Sequence, residues 1–589
     1  MVRVLVVSAT LALGWGAVVS SQAPQPGAPT PGQPTQPSQQ TPQRGPARPG
    51  RPGEAPPKGT AIIRGMVAAA DTGAPLRRVQ VRALSPESRG GGVTSSGVDG
   101  RFEIKELPAG RYTVSASKGA FVTIQYGQRR PSEPGTPIEL ADGQIAEKVN
   151  FSLSRGAVIA GRIVDESGEA MSGVNVQAMR YAFVAGSRRL TPAGGMGDRT
   201  DDQGAYRLYG LAPGDYFVSA TSGFGAGNMV LNMGTAVTNT EADGYAPTYY
   251  PGTPNIAEAQ RVSLKLGQEN TNIHFTLNPT RLAQVRGRVL NSRGEAGRGM
   301  VMIIPAEFNG ALMMGPNTTS MTAPDGSFAL ANVAPGRYNL SVRPMGMQGA
   351  TDEFAVLPVT VASDDLDNVM LTTAVGATSR GVVQTDDGTP PPFRPDDIQL
   401  FASTAEPMMM AAGGGPTKVN PDYTFEMTSL FDRRLVRGAI QNTTGWYLKG
   451  VFIEGEDVTD SGVEFTPGRA YDGLQVVFTQ KTTELSGLVT DSRGRPVVDA
   501  SVVVFPANRE HWGYQSRYLR TVRPDTEGRY NIKSLPPGED YLIIAVQNLE
   551  QGQGGDPEFL ARAREEAKPL GLNEGEKKAM DVRLSTLQP

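Results

Sequence analysis

The sequence predicts an all-β protein, a tandem array of antiparallel β-sandwiches whose last module carries one short helix near the C-terminus. One observation behind this prediction is a motif that occurs four times: an acidic-Gly turn, an aromatic-x-aliphatic segment, a short link, and a Pro-Gly-x-Tyr segment, called the Gly-Tyr step below. Its copies begin at Val98, Asp201, Pro324 and Pro524. The other observation is composition, because 71 Gly and 46 Pro among 589 residues favour many short strands and turns over helices.

Within each copy of the motif, apolar and polar residues alternate with the period of a β-strand. In "VDGRFEIKELPAGRYTVSA", Phe102 and Ile104 share one strand face, and Tyr112 and Val114 share the face of the next strand. The Asp-Gly pair before Phe102 supplies the positive φ of a tight hairpin turn. Each copy and its flanking strands therefore predict about seven short strands in roughly 95 residues, the size of a two-sheet sandwich.

A strand-like segment with a glycine near its start opens every module, and these glycines recur at intervals of 94 to 126 residues. They are Gly65, Gly161, Gly287, Gly381 and Gly487. A period of this size indicates whole domains rather than a short-repeat solenoid. The chain is thereby divided into a first module over residues 60–155, a second over 156–280, a third over 281–375, a fourth over 376–480 and a fifth over 481–589.

Two modules carry features of their own. The fourth keeps Asp422 and Phe425 in "NPDYTFEMTSLFDRRL" but lacks the Gly-Tyr step, so we expect a degenerate sandwich whose strand order the sequence leaves open. The fifth contains "DPEFLARAREEAKPL", which predicts a helix near 556–568. Asp556 would cap this helix, Pro557 suits its first turn and Pro569 ends it.

The N-terminal residues predict export. Residues 1–22 have one Arg, an apolar run and then small residues, which is the pattern of a signal peptide. A membrane anchor is the alternative, although the apolar run is short for a spanning helix. Residues 23–59 are rich in Pro, Gln and Gly and predict a disordered, extended linker. The absence of cysteine excludes disulfides and thiolate chemistry.

The motifs resemble those of a known family. Gly-x-Val near the module start, Asp-x-x-Gly-x-Phe/Tyr-x-Ile/Leu, and Leu-x-Pro-Gly-x-Tyr-x-Val are similar to the carboxypeptidase regulatory-like domain. The resemblance covers nearly all of residues 60–589 and is clear in every module except the fourth, whose tail resembles segments of multi-repeat exported bacterial proteins. It implies an immunoglobulin-like, transthyretin-like β-sandwich, grouped with starch-binding-like folds. The family name implies only a fold domain that is found beside peptidases. It does not imply that the catalytic part is present.

The residue types present disfavour an enzyme. The chain has two histidines, His274 and His511, which lie in different modules, whereas zinc peptidases need His and Glu ligands at set spacing and most nucleophilic triads need a positioned imidazole as base. We expect no catalytic residues and no cofactors. A formal charge of −3 also gives no reason to expect nucleic acid as a partner.

An acidic stretch is a candidate metal site. "GDRTDDQGAY" brings Asp198, Asp201 and Asp202 together before a glycine, and carboxylate oxygens from a loop bind Ca²⁺. The stretch lacks the alternating spacing of a dedicated calcium loop and coincides with the repeated turn. The alternative is that these residues form turns by bonding their own backbone.

Aromatic side chains in Pro/Gly-rich segments are the candidate carbohydrate-binding residues. "DGYAPTYYPGTPN" in the second module and "EHWGYQSRY" in the fifth supply rings on which a sugar could stack, and we expect Trp512 and Tyr514 on one strand face. The alternative is that these rings close the ends of the sandwiches, where burying each stabilises by about 1.5–3 kcal/mol. The residues are Tyr245, Tyr249, Tyr250, Trp512, Tyr514 and Tyr518.

These observations together predict an exported, non-enzymatic repeat protein that acts as a spacer, adhesion or scaffold module of the cell envelope. One alternative is a carbohydrate-binding protein that uses the aromatic loops. Another is an accessory subunit of a separate peptidase or transporter. The expected partners are a polysaccharide or an envelope protein, with no membrane insertion after signal cleavage. The expected location is the periplasm, the outer-membrane surface or the extracellular space.

Overall fold

Pairs of facing β-sheets recur along the chain in the computed structural model. The described residues are 59–85, 91–130, 132–193, 197–222, 243–306, 319–344, 353–405, 417–441, 445–538 and 540–588. Among them, five pairs of sheets each enclose a separate cluster of buried apolar side chains. The predicted all-β array of sandwiches with a short C-terminal helix is confirmed. The predicted signal peptide and all but the last residue of the predicted linker lie outside the described residues.

The first module sets the pattern. Its strands are β1 (Ala61–Ala69), β2 (Gln80–Leu84), β3 (Gly91–Ser95), β4 (Arg101–Leu107), β5 (Gly110–Ser117), β6 (Ile124–Gln125), β7 (Ile138–Leu140), β8 (Ile145–Ala146) and β9 (Phe151–Leu153). One sheet has the order β4–β1–β8, and the end of β1 also pairs with β9. The other has the order β3–β2–β5–β6, with β7 on β5. Ile63, Val81, Phe102 and Tyr112 meet between the two sheets.

The second module repeats this arrangement with a longer hairpin. Its strands are β10 (Ala157–Val164), β11 (Asn175–Val184), β12 (Ser187–Pro192), β13 (Asp198–Arg199), β14 (Ala205–Leu211), β15 (Gly214–Thr221), β16 (Asp243–Tyr245), β17 (Thr248–Tyr249), β18 (Val262–Leu264), β19 (Glu269–Asn270), β20 (Phe275–Thr276) and β21 (Pro279–Arg281), with a 3₁₀-helix at Ile256–Glu258. β10 lies between β14 and β19, and it also pairs with β20. The facing sheet has the order β12–β11–β15–β17.

The third module has the simplest sheets. Its strands are β22 (Ala283–Leu290), β23 (Gly299–Pro305), β24 (Thr319–Met321), β25 (Ser327–Val333), β26 (Gly336–Pro344), β27 (Glu353–Val361), β28 (Leu366–Thr372) and β29 (Ala374–Val375). The orders β25–β22–β28 and β24–β23–β26–β27–β29 face each other. Val285, Phe328 and Leu340 fill the space between them.

The fourth module, whose strand order the sequence left open, is a sandwich with redistributed strands. They are β30 (Ala377–Thr385), β31 (Ile398–Thr404), β32 (Thr424–Leu430), β33 (Asp432–Ile440), β34 (Tyr447–Ile453), β35 (Glu456–Asp457), β36 (Val463–Phe465) and β37 (Ala470–Thr479), with a 3₁₀-helix at Pro395–Asp397. The long closing strand β37 recruits β34 and β35, so this sheet has the order β32–β30–β37–β34–β35. The facing sheet keeps β31–β33–β36.

The fifth module contains the α-helix of the described residues. Its elements are β38 (Glu484–Thr490), β39 (Ser501–Pro506), β40 (Arg520–Val522), β41 (Arg529–Lys533), β42 (Asp540–Val546), α1 (Pro557–Ala563), β43 (Lys568–Gly571), β44 (Lys577–Ala579) and β45 (Val582–Arg583), with 3₁₀-helices at Arg509–His511 and Gln553–Gly555. β38 lies between β41 and β44, and it also pairs with β45. The facing sheet has the order β40–β39–β42–β43.

The opening strand of every module pairs in two directions. It runs antiparallel to the strand after the acidic turn and parallel to the closing strand, as β22 does between β25 and β28. The same pairing recurs in the other four modules. The sheets are therefore mixed rather than purely antiparallel, because the closing strand arrives by a crossover from the facing sheet.

This parallel crossing explains the glycine that opens each module. A Cβ at Gly65 would lie 1.9 Å from the carbonyl oxygen of Val149, and one at Gly287 would lie 2.0 Å from that of Val369. The corresponding distances at Gly161, Gly381 and Gly487 are 1.8, 2.1 and 1.9 Å. Glycine in a strand commonly marks such a close backbone approach. The recurring glycine is required by the space available, not by its backbone angles.

The Gly-Tyr step ends in a tyrosine, partly buried in the third module and buried in the other three, whose hydroxyl bonds back to the chain. The Tyr112 hydroxyl donates to the carbonyl oxygen of Pro108 over 2.8 Å, and Tyr338 donates to that of Ala334 over 2.8 Å. Tyr216 and Tyr541 make the equivalent bonds, of 2.6 and 2.7 Å. This arrangement is like the tyrosine corner of other β-sandwiches, and it fixes the turn between two strands of facing sheets.

The fourth module replaces that tyrosine with an arginine. Arg434 is the third residue of β33, as Tyr112 is of β5, and it is buried. Its Nε donates to the carbonyl oxygen of Phe431 over 2.7 Å, so a guanidinium closes the turn that a phenol closes elsewhere. The fourth module therefore has the same hydrogen-bonded turn, although its sequence lacks the Gly-Tyr step.

Candidate functional site

Tyr249 of the second module lies beside an aromatic residue that the sequence reasoning missed. Tyr249 pairs with Ser219 at the edge of the sheet, and burial together with the nearby Tyr181 raises the pKa of its hydroxyl. Tyr181 is 41% exposed, packs edge-on against Phe217 and has the Arg188 guanidinium 5.1 Å from its ring centroid. Its outward position in the alternating segment "NVQAMRYAFV" was the available signal, since Val176 and Ala178 point into the core.

The other two tyrosines of this segment pack against the core of the second module. Tyr250 contacts the cluster edge-on at Phe275, with ring centroids 5.9 Å apart. Tyr245 also packs against the cluster, and its hydroxyl donates to Glu166 over 3.1 Å. Burial, followed by this carboxylate, raises the pKa of Tyr245. The three predicted tyrosines are thus close in sequence but do not form one exposed platform.

The predicted strand face carrying Trp512 and Tyr514 is wrong. Asn508 caps the 3₁₀-helix Arg509–His511, and this helix turns the Trp512 side chain inward. Trp512 is 8% exposed, and its indole Nε1 donates to the carbonyl oxygen of Pro506 over 2.8 Å. Tyr514 lies in the following turn and is 38% exposed, so it alone of this pair offers an accessible ring.

Tyr518 is covered by neighbouring side chains. The His511 ring stacks on it with centroids 4.5 Å apart, and the Arg517 guanidinium lies 5.4 Å from its centroid. It also packs against the core of the fifth module near Tyr541. This ring supports the structure around Arg517.

The three aspartates of the candidate metal site have different positions. Asp201 accepts hydrogen bonds from the backbone N–H groups of Gln203 and Ala205, which is the turn-forming alternative. Asp198 lies in β13 and accepts from the backbone N–H of Arg207 over 2.7 Å, and Asp202 lies exposed in the turn. Among the described residues, no group of three or more acidic or histidine side chains could hold a metal ion.

Charged side chains converge instead at the junction of the fourth and fifth modules. Arg517 contacts two aspartates of the fourth module, with its Nε 2.5 Å from Asp460 and an Nη 3.0 Å from Asp457. Another Nη donates to the carbonyl oxygen of Lys449. Arg437 of the fourth module donates to Asp460 over 3.4 Å and to the Gln515 carbonyl oxygen over 3.3 Å. These charge-assisted bonds join loops of both modules around a largely buried guanidinium.

The electrostatics of this junction stabilise the charged forms of Asp457 and Arg517. Burial by itself raises the pKa of Asp457, but the hydroxyl of Thr459 and the charge of Arg517 outweigh it and hold the value below the ordinary 3.8. Burial likewise lowers the pKa of Arg517, yet Asp460 and Asp457 reverse the shift and raise it. Asp457 and Arg517 therefore remain ionised at neutral pH.

The fifth module also contacts the first module. The side chains of Arg523 and Glu133 are 5% and 6% exposed, and their closest charged atoms lie 3.9 Å apart. Arg523 donates to the carbonyl oxygen of Pro134 and, over 2.8 Å, to Asp499. Across the same contact the backbone N–H of Gln551 donates to the carbonyl oxygen of Ser132 over 2.9 Å. Burial, and then the charge of Asp499, raises the pKa of Glu133.

The fifth module meets the second module at two glycines. A Cβ at Gly552 would lie 2.5 Å from the carbonyl oxygen of Phe183, and a Cβ at Gly186 would lie 2.6 Å from that of Gly555. Glycine at both positions lets the two backbones touch. The fifth module thus contacts the first, second and fourth modules, including two that are distant from it in sequence.

The first module shows a family relationship. Residues 62–154 match the family model of the carboxypeptidase regulatory-like domain. This match confirms the resemblance for the first module. The matched residues comprise the two sheets around β1, with the opening glycine and the buried tyrosine described above. No curated protein sequence matches the chain.

Solved structures with similarity to the chain include several pilins. A streptococcal ancillary pilin is 14% identical, with 53% of this chain and 98% of the pilin covered and a TM-score of 0.19. The major pilin subunit of Bacillus cereus is 10% identical, with 73% and 99% covered and a TM-score of 0.15. The minor pilin of Streptococcus agalactiae is 13% identical, with 37% and 96% covered and a TM-score of 0.19. Similarity at these TM-scores carries no inference about this chain.

Proposed function

We propose that this protein is an exported, non-enzymatic scaffold of the cell envelope whose sandwiches are held at fixed relative positions. The observation that carries the proposal is the contact between the first and fifth modules, in which Arg523 and Glu133 are almost completely buried. Buried charges are costly unless their partners stay in place, so a contact of this kind favours a fixed arrangement over independent beads. A protein of this design would present its sheet surfaces and junctions to other envelope components.

Export rests on the predicted signal peptide, residues 1–22, which lies outside the described residues. Among the residues that the structure describes, no helix is long and apolar enough to cross a membrane. The expected result of cell fractionation is recovery of the protein in the envelope or the medium, at a mass that lacks the first 22 or so residues. Recovery of the full-length chain in the cytosol would contradict the proposal.

The absence of cysteine makes the scaffold geometry directly testable. Ser132 and Gln551, whose backbones are joined by a hydrogen bond, would both be replaced by Cys. Two residues joined by a backbone hydrogen bond are close enough for a disulfide, in which the Cα atoms lie about 4.4–6.8 Å apart, or for a short bis-maleimide cross-linker. We expect rapid intramolecular cross-linking in dilute protein, seen as a mobility shift that reducing agent reverses for the disulfide.

The matched control keeps Ser132→Cys and pairs it with Thr360→Cys, an exposed position in β27 of the third module. This pair should cross-link much more slowly. Equal rates for the two pairs, or no cross-link at Ser132/Gln551, would show that the first and fifth modules do not stay together and would remove the scaffold proposal.

A second candidate function, carbohydrate binding, is favoured by Tyr181 and Tyr249. Tyr181 has a large exposed area and lies beside the predicted residue Tyr249. A glycan panel should show binding by the native chain that Tyr181→Ala and Tyr249→Ala both weaken, whereas Tyr514→Ala in the fifth module leaves it unchanged. Binding to no glycan, or loss only in the Tyr514→Ala control, would contradict this assignment.

A further inference from the structure

A cleft of about 690 Å³ lies between the first and second modules. One wall comes from the start of β2, the end of β5 and the loop after it, and the other from β14 and the start of β13. Its volume falls within the range of about 300–1,000 Å³ that small-ligand sites occupy, and junctions between domains are common places for such sites.

The charged side chains that line the cleft are cations. They are Arg78 and Lys118 from the first module and Arg207 from the second. Glu269 balances Arg207 over 2.8 Å, whereas Arg78 and Lys118 form no ion pair among the described residues. The Lys118 ammonium donates only to a backbone carbonyl, that of Arg77, over 2.8 Å. The cleft therefore has positive charge available for an anion.

An exposed aromatic ring lies among these cations. Tyr209 is 56% exposed in the middle of β14, where alternation turns its side chain away from the buried Tyr206 and Leu208. Uncharged polar side chains complete the lining, including Gln80, Ser117 and Thr123. A flat ring, hydrogen-bonding groups and unpaired cations in one cleft suit a ligand with apolar ring faces, hydroxyl groups and carboxylates.

The base of the cleft is held by backbone contacts between the two modules. The N–H of Gly156, the first residue of the second module, donates to the carbonyl oxygen of Ala120 over 3.0 Å, and the preceding Arg155 forms a bridge with Phe121 that holds the connection in place. A Cβ at Gly210 would lie 3.4 Å from the carbonyl oxygen of Phe121, so the two modules meet closely here. A cleft whose walls are already fixed would bind without a large ordering cost.

We propose that this cleft binds an acidic saccharide, an oligosaccharide of uronic acids, with a sugar face on Tyr209 and carboxylates on Arg78 and Lys118. The site differs from the Tyr181 and Tyr249 positions considered above, and it requires neither their sugar binding nor the contact between the first and fifth modules. A peptide rich in Glu shares the carboxylates but lacks the sugar face, so the exposed ring favours the saccharide.

The test is calorimetric titration of the folded chain with a galacturonic acid hexamer, a glucose hexamer and a hexaglutamate peptide. We expect binding of the acidic saccharide alone, and we expect it to weaken as salt is raised. Tyr209→Ala removes the ring on which the sugar face packs, and the double variant Arg78→Gln/Lys118→Gln removes the charged hydrogen bonds, so each should weaken binding by about tenfold or more. Tyr209→Phe keeps the ring and should bind within about twofold of the native chain.

The controls make the same changes outside the cleft, as Tyr514→Ala and Lys533→Gln in the fifth module, and should leave affinity unchanged. Thermal unfolding and circular dichroism of each variant establish that the modules remain folded. Equal affinity for the hexaglutamate peptide, equal affinity for the glucose hexamer, no binding of the acidic saccharide, or equal loss in the controls would each overturn the proposal.

Discussion

The opening glycine is the residue with the least freedom to change. At Gly487 a Cβ would lie 1.9 Å from the carbonyl oxygen of Met580, and the side chain of Tyr530 lies 3.1 Å away on the other strand. The Tyr530 hydroxyl donates to the same carbonyl oxygen, so that neighbour is itself held in place. Because the obstacle is backbone, an added methyl group must separate β38 from its parallel partner.

Gly487→Ala is therefore expected to lower the free energy of unfolding of the fifth module by about 3 kcal/mol, the upper end of the usual range for single substitutions. The measurement is chemical unfolding followed through Trp512, which is buried in this module. Gly513→Ala is the matched control, since nothing lies within 4 Å of its Cβ position and its φ is not positive. A similar unfolding midpoint for the two variants would contradict the steric explanation.

The buried Arg434 shows a limit of prediction from single residues. The sequence shows that the fourth module lacks the Gly-Tyr step. It could not show that Arg434 takes over the hydrogen bond to the preceding turn, since an arginine in "FDRRLV" ordinarily indicates an exposed strand position. The contact depends on a pocket that only the packed sheets create.

At the scale of elements, helix α1 follows the local rules on which its prediction rested. Asp556 accepts a hydrogen bond from the N–H of Phe559 over 3.0 Å, and Pro557 occupies the first turn. The buried face of Phe559, Leu560 and Ala563 packs against the outer side of β39 in a separate apolar cluster. The helix ends at Ala563 rather than near residue 568, so the prediction that Pro569 ends it is wrong: Pro569 lies in β43.

Asp556→Ala is expected to cost about 1 kcal/mol, because it leaves a helix N–H without its capping oxygen. Hydrogen exchange of residues 556–567 should accelerate in this variant. Glu565→Ala, which removes an exposed carboxylate beyond the helix end, should leave the exchange rate unchanged. Equal acceleration in both variants would show that charge rather than capping is responsible.

The strand pairings show a second limit of prediction from the sequence. Alternation and turns predicted the antiparallel hairpins, whose partners lie close together in sequence. The parallel pairing of β1 with β8 and β9, and its counterparts in the other modules, joins strands about 80 to 110 residues apart and leaves no local signal. The recurring glycine was visible in the sequence, and its cause was not.

At the scale of the whole molecule, the junctions decide how the modules are arranged. Asp457 and Arg517 connect the fourth and fifth modules, and the pKa of Asp457 is held below its ordinary value of 3.8. A carboxyl group with a lowered pKa in the folded state stabilises that state above its ordinary pKa, and the contribution is lost as pH falls through the lowered value. This junction is therefore expected to loosen below about pH 4.

The measurement is hydrogen exchange of residues 454–462 from pH 6 to pH 3, corrected for the intrinsic rate. Protection should fall at the acidic end in the native chain. Asp457→Asn should show weaker protection at pH 6 and a smaller change with pH. Asp472→Asn, at an exposed position of β37, should behave as the native chain does. An unchanged profile in Asp457→Asn would contradict this role.

The sequence by itself determined the all-β class of the modules, their antiparallel hairpins and the start of the helix, because strand alternation, acidic turns and the helix cap act within a few residues. The tertiary structure decided which modules touch, which predicted rings are accessible and where Arg78, Lys118 and Tyr209 come together. Arg523 and Pro134 are separated by 389 positions, and nothing next to either residue specifies the other. Their contact follows from the relative placement of folded sandwiches, which local patterns do not encode.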